Sequence, residues 1–405
     1  MGAHFPGREF SSRYLLHIAF QIVGVALVAV TLPLLIELFV LTFASLFYRD
    51  PDVAGDQDSP PFRLAVIVPA HNEEMLVERC VRSLRTSDEG SAAIFVIAHN
   101  CADRTALEAE GAGARVLVLD DPNQTGKGCA LRYGFSTAMA EDYDGVLVID
   151  SDSVVTPNLL KTVSLRFGAG ARALQCRYGV HNPTASDRTR LMSLALQAFN
   201  IVRPRGRAQL GFSTGIFGNG FGLCRDLVER FSFGADSVVE DLEYHLTLVR
   251  AGERVEFVDS ASVFGEMPSG DQGAATQRSR WEGGRLRMAR EAVPQLLRDV
   301  LRGRARLLEP LLDLAALPLA LEVVALVIVL CLPVAWLRAY AIVGVAIVAF
   351  HVLMALRYAP DARGGAKVLL AIPRYIAWKV TMLPRTWRAS RVNAAWERTQ
   401  RDIPL

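Results

Sequence analysis

Leu64-Ala-Val-Ile-Val-Pro-Ala-His-Asn-Glu-Glu74 decides how this chain is built. It opens as a short apolar run rich in β-branched residues and ends in a polar cluster. An unbroken apolar run of this kind is a strand buried on both faces. The pattern repeats downstream in Ala93-Ile-Phe-Val-Ile97, Arg115-Val-Leu-Val-Leu119 and Gly145-Val-Leu-Val-Ile149, with helical patterns over 72–87, 103–112 and 126–140 between them. Strand and helix in alternation predict an α/β domain, a mostly parallel sheet with helices on both faces. In such sheets ligands bind at the carboxyl ends of the strands. The polar residues found there are therefore the ones to inspect.

Strand one ends in Pro69-Ala-His-Asn-Glu-Glu74, strand two in Ala98-His-Asn-Cys-Ala-Asp103 and strand four in Asp150-Ser-Asp152, while Thr125-Gly-Lys-Gly128 opens a helix. Neither GxGxxG nor GxxxxGK[ST] occurs, which removes most support for NAD and kinase-type ATP chemistry. Asp150 and Asp152 stand at i and i+2 just past a strand, where both can turn towards one ligand. Two hard carboxylate oxygens can hold Mg²⁺ or Mn²⁺, whose shell phosphate oxygens complete. Taken alone, most such triplets are solvated turns. Lys127 is a point charge for a phosphate or an ordinary loop lysine. Glu240-Asp241 precedes a helical stretch at 242–250, where acidic first-turn residues are favoured in any case. Gln277-Arg-Ser-Arg-Trp281 is either a basic membrane-proximal face or an arginine clamp on a diphosphate.

Outward from this domain the composition changes. Of the 405 residues 51% are hydrophobic and 21% charged, and the mean hydropathy is +0.25. That is too apolar for a typical cytosolic enzyme. The excess sits at the two ends: Glu37 is the only charged residue between Tyr14 and Phe47, and Glu322 and Arg338 are the only ones between Leu314 and Leu356. Leu15 to Ile36 is long enough to cross a hydrocarbon core of about 30 Å. It is too long for a signal-peptide core and reads as an uncleaved anchor. Pro33 is a candidate kink, and a hairpin of two short helices is the alternative. The 314–356 block fits two spans broken near Trp336-Leu337-Arg338. Residues 366–388 mix basic, aromatic and apolar groups and read as an amphipathic helix in the membrane interface, with a short further span as the alternative.

These readings divide the chain into an anchor (1–49), a polar linker (50–61), a central α/β domain (62–306), a transmembrane helix pair (307–357) and a basic interface helix with its tail (358–405). Residues 278–306 carry nine arginines against three acids, and 357–391 carry eight basic residues against Asp361. The positive-inside rule then places the central domain in the cytoplasm, on a multi-pass protein of the inner membrane. The 44 Lys+Arg against 42 Asp+Glu give no bulk basicity for nucleic acid. Cys80, Cys101, Cys129, Cys176, Cys224 and Cys331 are far apart with no CxxC pair, which reads as reduced thiols rather than a disulfide or zinc scaffold.

In order the chain shows V-P-A-x-N-E, D-x-D, E-D and Q-x-x-R-W, with apolar segments on both sides. Over roughly 64–300 it resembles the inverting family 2 glycosyltransferases of GT-A (Rossmann-like) fold. More narrowly, it is similar to membrane-anchored bacterial exopolysaccharide enzymes related to cellulose and hyaluronan synthases. The resemblance implies that Asn72 and Glu73 line the nucleotide pocket and that Lys127 faces the diphosphate or donor sugar. It makes Asp150 and Asp152 the metal pair, with Asp150 also touching the donor, and puts Gly218-Asn-Gly220 at the floor of the sugar pocket. Asp241 matches the catalytic base, with Glu240 and Gly220 on the acceptor side. Gln277, Arg280 and Trp281 match the motif that closes over the diphosphate and approaches the acceptor. Where family members often carry an acidic residue that reads uracil, this chain has Ala98-His99, an imidazole that hydrogen-bonds a base or caps the turn. His71 and His245 are given no role.

The implied cofactor is Mg²⁺ or Mn²⁺ and the implied donor a nucleotide sugar. The acceptor is lipid-linked or a polysaccharide. The bilayer and other exopolysaccharide-assembly proteins are the expected partners. Displacing a nucleoside diphosphate from an anomeric carbon needs charge stabilisation on the leaving group and one base for the acceptor hydroxyl. A single base with single displacement predicts inversion. A processive synthase completed by a partner subunit, a nucleotidyltransferase and a non-catalytic membrane scaffold are the competing readings. The first is separated by product length, the second by its need for a Gly-rich, Arg-bearing loop where this chain has His-Asn-Glu-Glu, and the third by loss of metal-dependent nucleotide binding.

Overall fold

The computed structural model describes residues 7–51, 62–87, 92–234, 239–359 and 368–391. Most of the expected linker 50–61 lies outside these, as do parts of the expected C-terminal segment (360–367 and 392–405). Helix α1 (Gly7–Ser45) is followed by β1 (Leu64–Ala70), α2 (Val77–Thr86), β2 (Ala93–His99), α3 (Thr105–Gly111), β3 (Arg115–Leu119), α4 (Lys127–Ala140) and β4 (Gly145–Val148). Then come β5 (Ser153–Val155), α5 (Leu159–Gly168), β6 (Ala173–Val180), α6 (Asp187–Gln197), a π-helical turn (Ala198–Val202) and α7 (Arg203–Gln209). Next are β7 (Phe221–Cys224), α8 (Arg225–Arg230), α9 (Glu240–Ala251) and β8 (Val255–Gly265). Helices α10 (Asp271–Leu301), α11 (Leu308–Ala315), α12 (Leu319–Cys331), α13 (Ala335–Leu356) and α14 (Ile372–Ala389) follow.

The eight strands form one sheet in the order β3-β2-β1-β4-β7-β6-β8-β5. The half read from the sequence is parallel, with Val66 beside Ile94 and Leu64 beside Gly145. Beyond β4 the sheet is mixed: β7 runs antiparallel to β4 and β6, β8 parallel to β6, and β5 antiparallel to β8. The apolar run of β1 has a direct cause. Leu64, Val66 and Val68 pack with Val77, Val81 and Leu84 of α2 on one face. Ala65 and Ile67 pack with Ala130, Leu131 and Phe135 of α4 on the other. Residues 64–68 have no solvent exposure, and each large one contributes about 1.5–3 kcal/mol of burial.

The helix expected from residue 72 begins only at Val77. Asn72 takes a left-handed φ of 55°, which a helix cannot include, and 73–76 make the turn. Helix α9 begins at Glu240 rather than after Asp241, so both acids occupy its first turn.

Helix α1 continues through Pro33; neither the hairpin nor a break at the proline occurs. Its Tyr14–Ser45 portion is apolar and 32 residues long, roughly 48 Å at about 1.5 Å per residue. Ile36, Phe39 and Phe43 face outward from it while Leu34, Leu35 and Leu38 pack inward. Helix α13, with 22 residues, is the second helix among the described residues long and apolar enough to cross a membrane. The break in the second apolar block falls at 332–334 rather than near Trp336-Leu337-Arg338, because Pro333 forces Leu332 into extended backbone (ψ 138). Helix α12 has 13 residues, about 20 Å and too short to cross alone. It qualifies as a span only jointly with 305–315, from which it is bent by 77°. Helix α14 packs along α10 and leaves Val380, Leu383 and Trp387 exposed; it is not among the helices apolar enough to cross.

Candidate active site

A cavity of about 1860 Å³ opens at the carboxyl ends of the strands. Glu73, His99, Lys127, Asp150, Asp152, Glu240, Asp241, Gln277, Arg280 and Trp281 all border it. The ends of β1, β2 and β4 and the helices α4, α9 and α10 thus bring together residues up to about two hundred positions apart.

The turn after β4 is pinned from beneath. Buried Asn219 accepts from the Asp150 N–H at 3.1 Å through Oδ1 and donates to Ser153 Oγ at 2.8 Å through Nδ2. Fully buried Gln175 of β6 holds the same loop. Its Nε2 donates to the Asn219 carbonyl at 2.8 Å, and its Oε1 accepts from the Phe217 N–H at 2.9 Å. Sequence reasoning did not single out Gln175, since its partners lie 42 and 44 residues away. Lys127, at the start of α4, donates to the Gly218 carbonyl at 2.5 Å and pairs with the Asp150 carboxylate. Burial disfavours its charge, yet Asp150, Glu240 and Asp241 outweigh that and hold the ammonium above its ordinary range.

The acidic pair at the start of α9 is lifted. Loss of solvent raises both carboxyls. Asp241 adds repulsion at Glu240 against the pull of Lys127, and Glu240 is pushed up to about 7. Asp241 Oδ1 accepts from the Leu242 N–H at 2.8 Å, which counters part of the rise. Its other oxygen faces Gly218, where a Cβ would lie 3.1 Å from Oδ2 on a backbone with φ +75°. Burial lowers the Arg280 guanidinium, while Glu240 and Asp150 act to raise it. Gln277 presents a buried Oε1 with no hydrogen-bond partner among the described residues. Trp281 packs beside Tyr178 and Met192.

Three expected residues sit differently. Asn72 does not border the cavity; its Oδ1 accepts from the Ala102 N–H at 2.7 Å, stapling the β1 loop to the β2 loop. Gly220 lies inside the sheet against Val263 and Cys176 with φ +72°, and Gly218 borders the cavity in its place. His99 borders it, but its Nε2 donates to the Gln124 carbonyl at 2.9 Å, the geometry of a turn cap. His71 meets the His99 carbonyl at 2.8 Å. His245 is buried against Ser213, and burial with nearby Arg207 lowers it to about 4.

A buried ionic group also went unread. Arg203 and Arg207 of α7 meet Asp313 of α11 at 2.6 and 2.9 Å. They also pair with Glu37, the single charge in the apolar stretch of α1, while Glu309 pairs with Arg207. Arg203, Arg207, Glu309 and Asp313 border the same cavity. Ion pairs between residues 102 to 170 positions apart leave no local pattern to find.

The family model described as "glycosyltransferase like family 2" matches residues 60–284. The probable glycosyltransferase YdaM of Bacillus subtilis (strain 168) is 24% identical over 235 residues, covering 55% of this chain and 55% of that protein. Protein RfbJ of Shigella flexneri is 35% identical over 91 residues, 22% of this chain and 65% of that one. The chain thus spans between about half and two thirds of the length of these relatives. Among solved structures, mannosyltransferase PcManGT from Pyrobaculum calidifontis, in complex with GDP-Man and Mn²⁺, superposes with a TM-score of 0.55. It is 18% identical, and the match covers 92% of this chain and 97% of that one. At this identity the likeness speaks for the fold, a GT-A domain joined to apolar helices. With more than half of its length matched by one family model, the chain belongs to the family 2-like glycosyltransferases.

Proposed function

We propose that the protein is a membrane-bound, metal-dependent, inverting glycosyltransferase that moves one sugar from a nucleotide-sugar donor to a lipid-linked or polysaccharide acceptor. It works in exopolysaccharide or cell-envelope glycan synthesis, in the manner of enzymes related to cellulose and hyaluronan synthases. The catalytic domain faces the cytoplasm from the inner membrane, as the arginine excess on 278–306 and 357–391 supports. The observation that carries the reading is Asp241. Burial raises its carboxyl above the ordinary range, and Gly218 and the Leu242 N–H hold it in one cavity with Lys127, Asp150 and Arg280.

Among the described residues no three His, Cys, Asp or Glu side chains cluster as a metal site. The protein therefore offers Asp150 and Asp152, two hard oxygen donors on one turn. That set fits Mg²⁺ or Mn²⁺, which keep positions for phosphate oxygens and water. When bound, such an ion supplies Lewis-acid stabilisation of the leaving diphosphate. The remaining chemistry belongs to the side chains. Asp241 takes the acceptor hydroxyl's proton, and that oxygen attacks the anomeric carbon. The bond from this carbon to the diphosphate oxygen breaks on the opposite side, and the nucleoside diphosphate leaves with the electron pair. Lys127 and Arg280 balance its charge. One displacement inverts the anomeric configuration.

The test offers full-length protein a panel of nucleotide sugars and assigns the product anomer by NMR. An inverted linkage is expected; a retained one overturns the mechanism.

A further inference from the structure

The cavity is larger than its donor requires. A pocket of about 300–1,000 Å³ encloses a drug-sized ligand, and this one holds about 1860 Å³. Part of the additional lining is the buried group of Arg203, Arg207, Glu309 and Asp313, and the larger part is apolar. The apolar walls include Leu34 and Leu38 of α1, Leu194 and Ala195 of α6, and Val345 and Leu353 of α13. Val345 and Leu353 border the cavity and are 41% and 60% exposed. They put an accessible apolar wall of the cavity on a helix long and apolar enough to sit in hydrocarbon. Between α6 and α7 the backbone widens into a π-helical turn, Ala198–Val202, whose Ala198, Phe199 and Asn200 border the cavity. Such turns are frequent at functional sites. Here the turn sets Phe199 into the cavity wall, 6.0 Å from Phe217, whose loop leads through Gly218 to Asp241.

Resting on the glycosyltransferase reading above, we propose that the acceptor is an amphiphile. Its hydroxyl-bearing headgroup reaches Asp241 past Phe217, and its hydrocarbon chain lies between α1, α6 and α13, entered from the bilayer. A water-soluble polysaccharide has no use for an aliphatic compartment on a membrane-facing helix. A lipid tail removes about 25 cal/mol of unfavourable hydration for each Å² it buries there, and its headgroup needs no extraction into the cytoplasm.

The experiment uses the full-length protein in detergent with a panel of radiolabelled nucleotide sugars. Two acceptor pools are offered: vesicles of total lipid from the expression host, and water-soluble polysaccharide from the same cells. The proposal expects label in the organic phase. It expects Ala195→Trp and Val345→Trp, which fill the apolar half and its mouth, to lower that transfer roughly tenfold or more. Ile342→Trp, 61% exposed on the same helix but outside the cavity, should transfer like wild type. Retained Mn²⁺-dependent nucleotide diphosphate binding shows that the filled variants are folded. Label in water-soluble polymer alone, or lipid labelling unchanged by both fillings, overturns the proposal and leaves the glycosyltransferase reading standing. No label in either pool and no donor hydrolysis removes both.

Discussion

Gly218 shows how a glycine governs a carboxylate it does not hydrogen-bond. With φ +75° and only 3.1 Å between a notional Cβ and Asp241 Oδ2, Gly218→Ala strains the loop and pushes the carboxylate off its line. A displacement of about 1 Å can cost on the order of 10²-fold, so kcat should fall by about that factor; a wild-type kcat contradicts the placement. The raised acids predict a pH dependence. A base must be ionised, so kcat/KM falls as pH drops, with its acid limb above the ordinary carboxylate range. Glu240 binds its proton more tightly folded than unfolded, so its ionisation between 4.5 and about 7 costs stability as pH rises. Asp241→Asn removes the like charge that helps raise Glu240 and should bring the Glu240 carboxyl down towards its ordinary range, read by NMR titration; an unmoved Glu240 contradicts the coupling. At this scale the short motifs were legible, because D-x-D, E-D and Q-x-x-R-W each lie within five residues. Gln175, Asn72 as a staple, and the commitment of His99 to Gln124 depend on contacts made only after folding.

Secondary-structure elements were legible where burial is symmetric. Strands β1, β2 and β4 lie between two helical layers, so their apolar runs are unbroken. Strand β8 interleaves Glu256, Asp259 and Ser260 with core residues, and β6 carries Gln175 and Arg177; neither shows the signal that betrays β1. Docking of α1 onto α7 was invisible too, although both surfaces announce it in the structure. Gly206 lies directly against the Leu41 backbone, where a Cβ has no room, and Glu37 meets Arg203 and Arg207. Removing one partner of a buried ionic group strands the others in low dielectric. Glu37→Ala should therefore cost about 3–5 kcal/mol and lower the Tm of the detergent-solubilised protein; an unchanged Tm means the group is not holding the helix.

For the whole molecule, uneven hydropathy was the most reliable guide, since lipid and water impose different compositions on neighbouring segments. It predicted the two flanking apolar blocks but not that α12 is short and sharply bent from 305–315, a consequence of local prolines and packing. The fold docks α1 and α13 onto the sheet domain through α6, the π-helical turn and α7, and we expect the protein to remain in the membrane pellet through alkaline carbonate washing. Release into the supernatant contradicts a spanning anchor. In the proposed mechanism this assembly transfers sugar with Asp241 as base. This is tested most directly by comparing wild-type and Asp241→Asn membranes for transfer from a full set of radiolabelled nucleotide sugars. Wild type should transfer sugar and the variant should lose about 10²–10⁴-fold of that rate, with nucleotide diphosphate binding retained. Transfer by Asp241→Asn at the wild-type rate contradicts it.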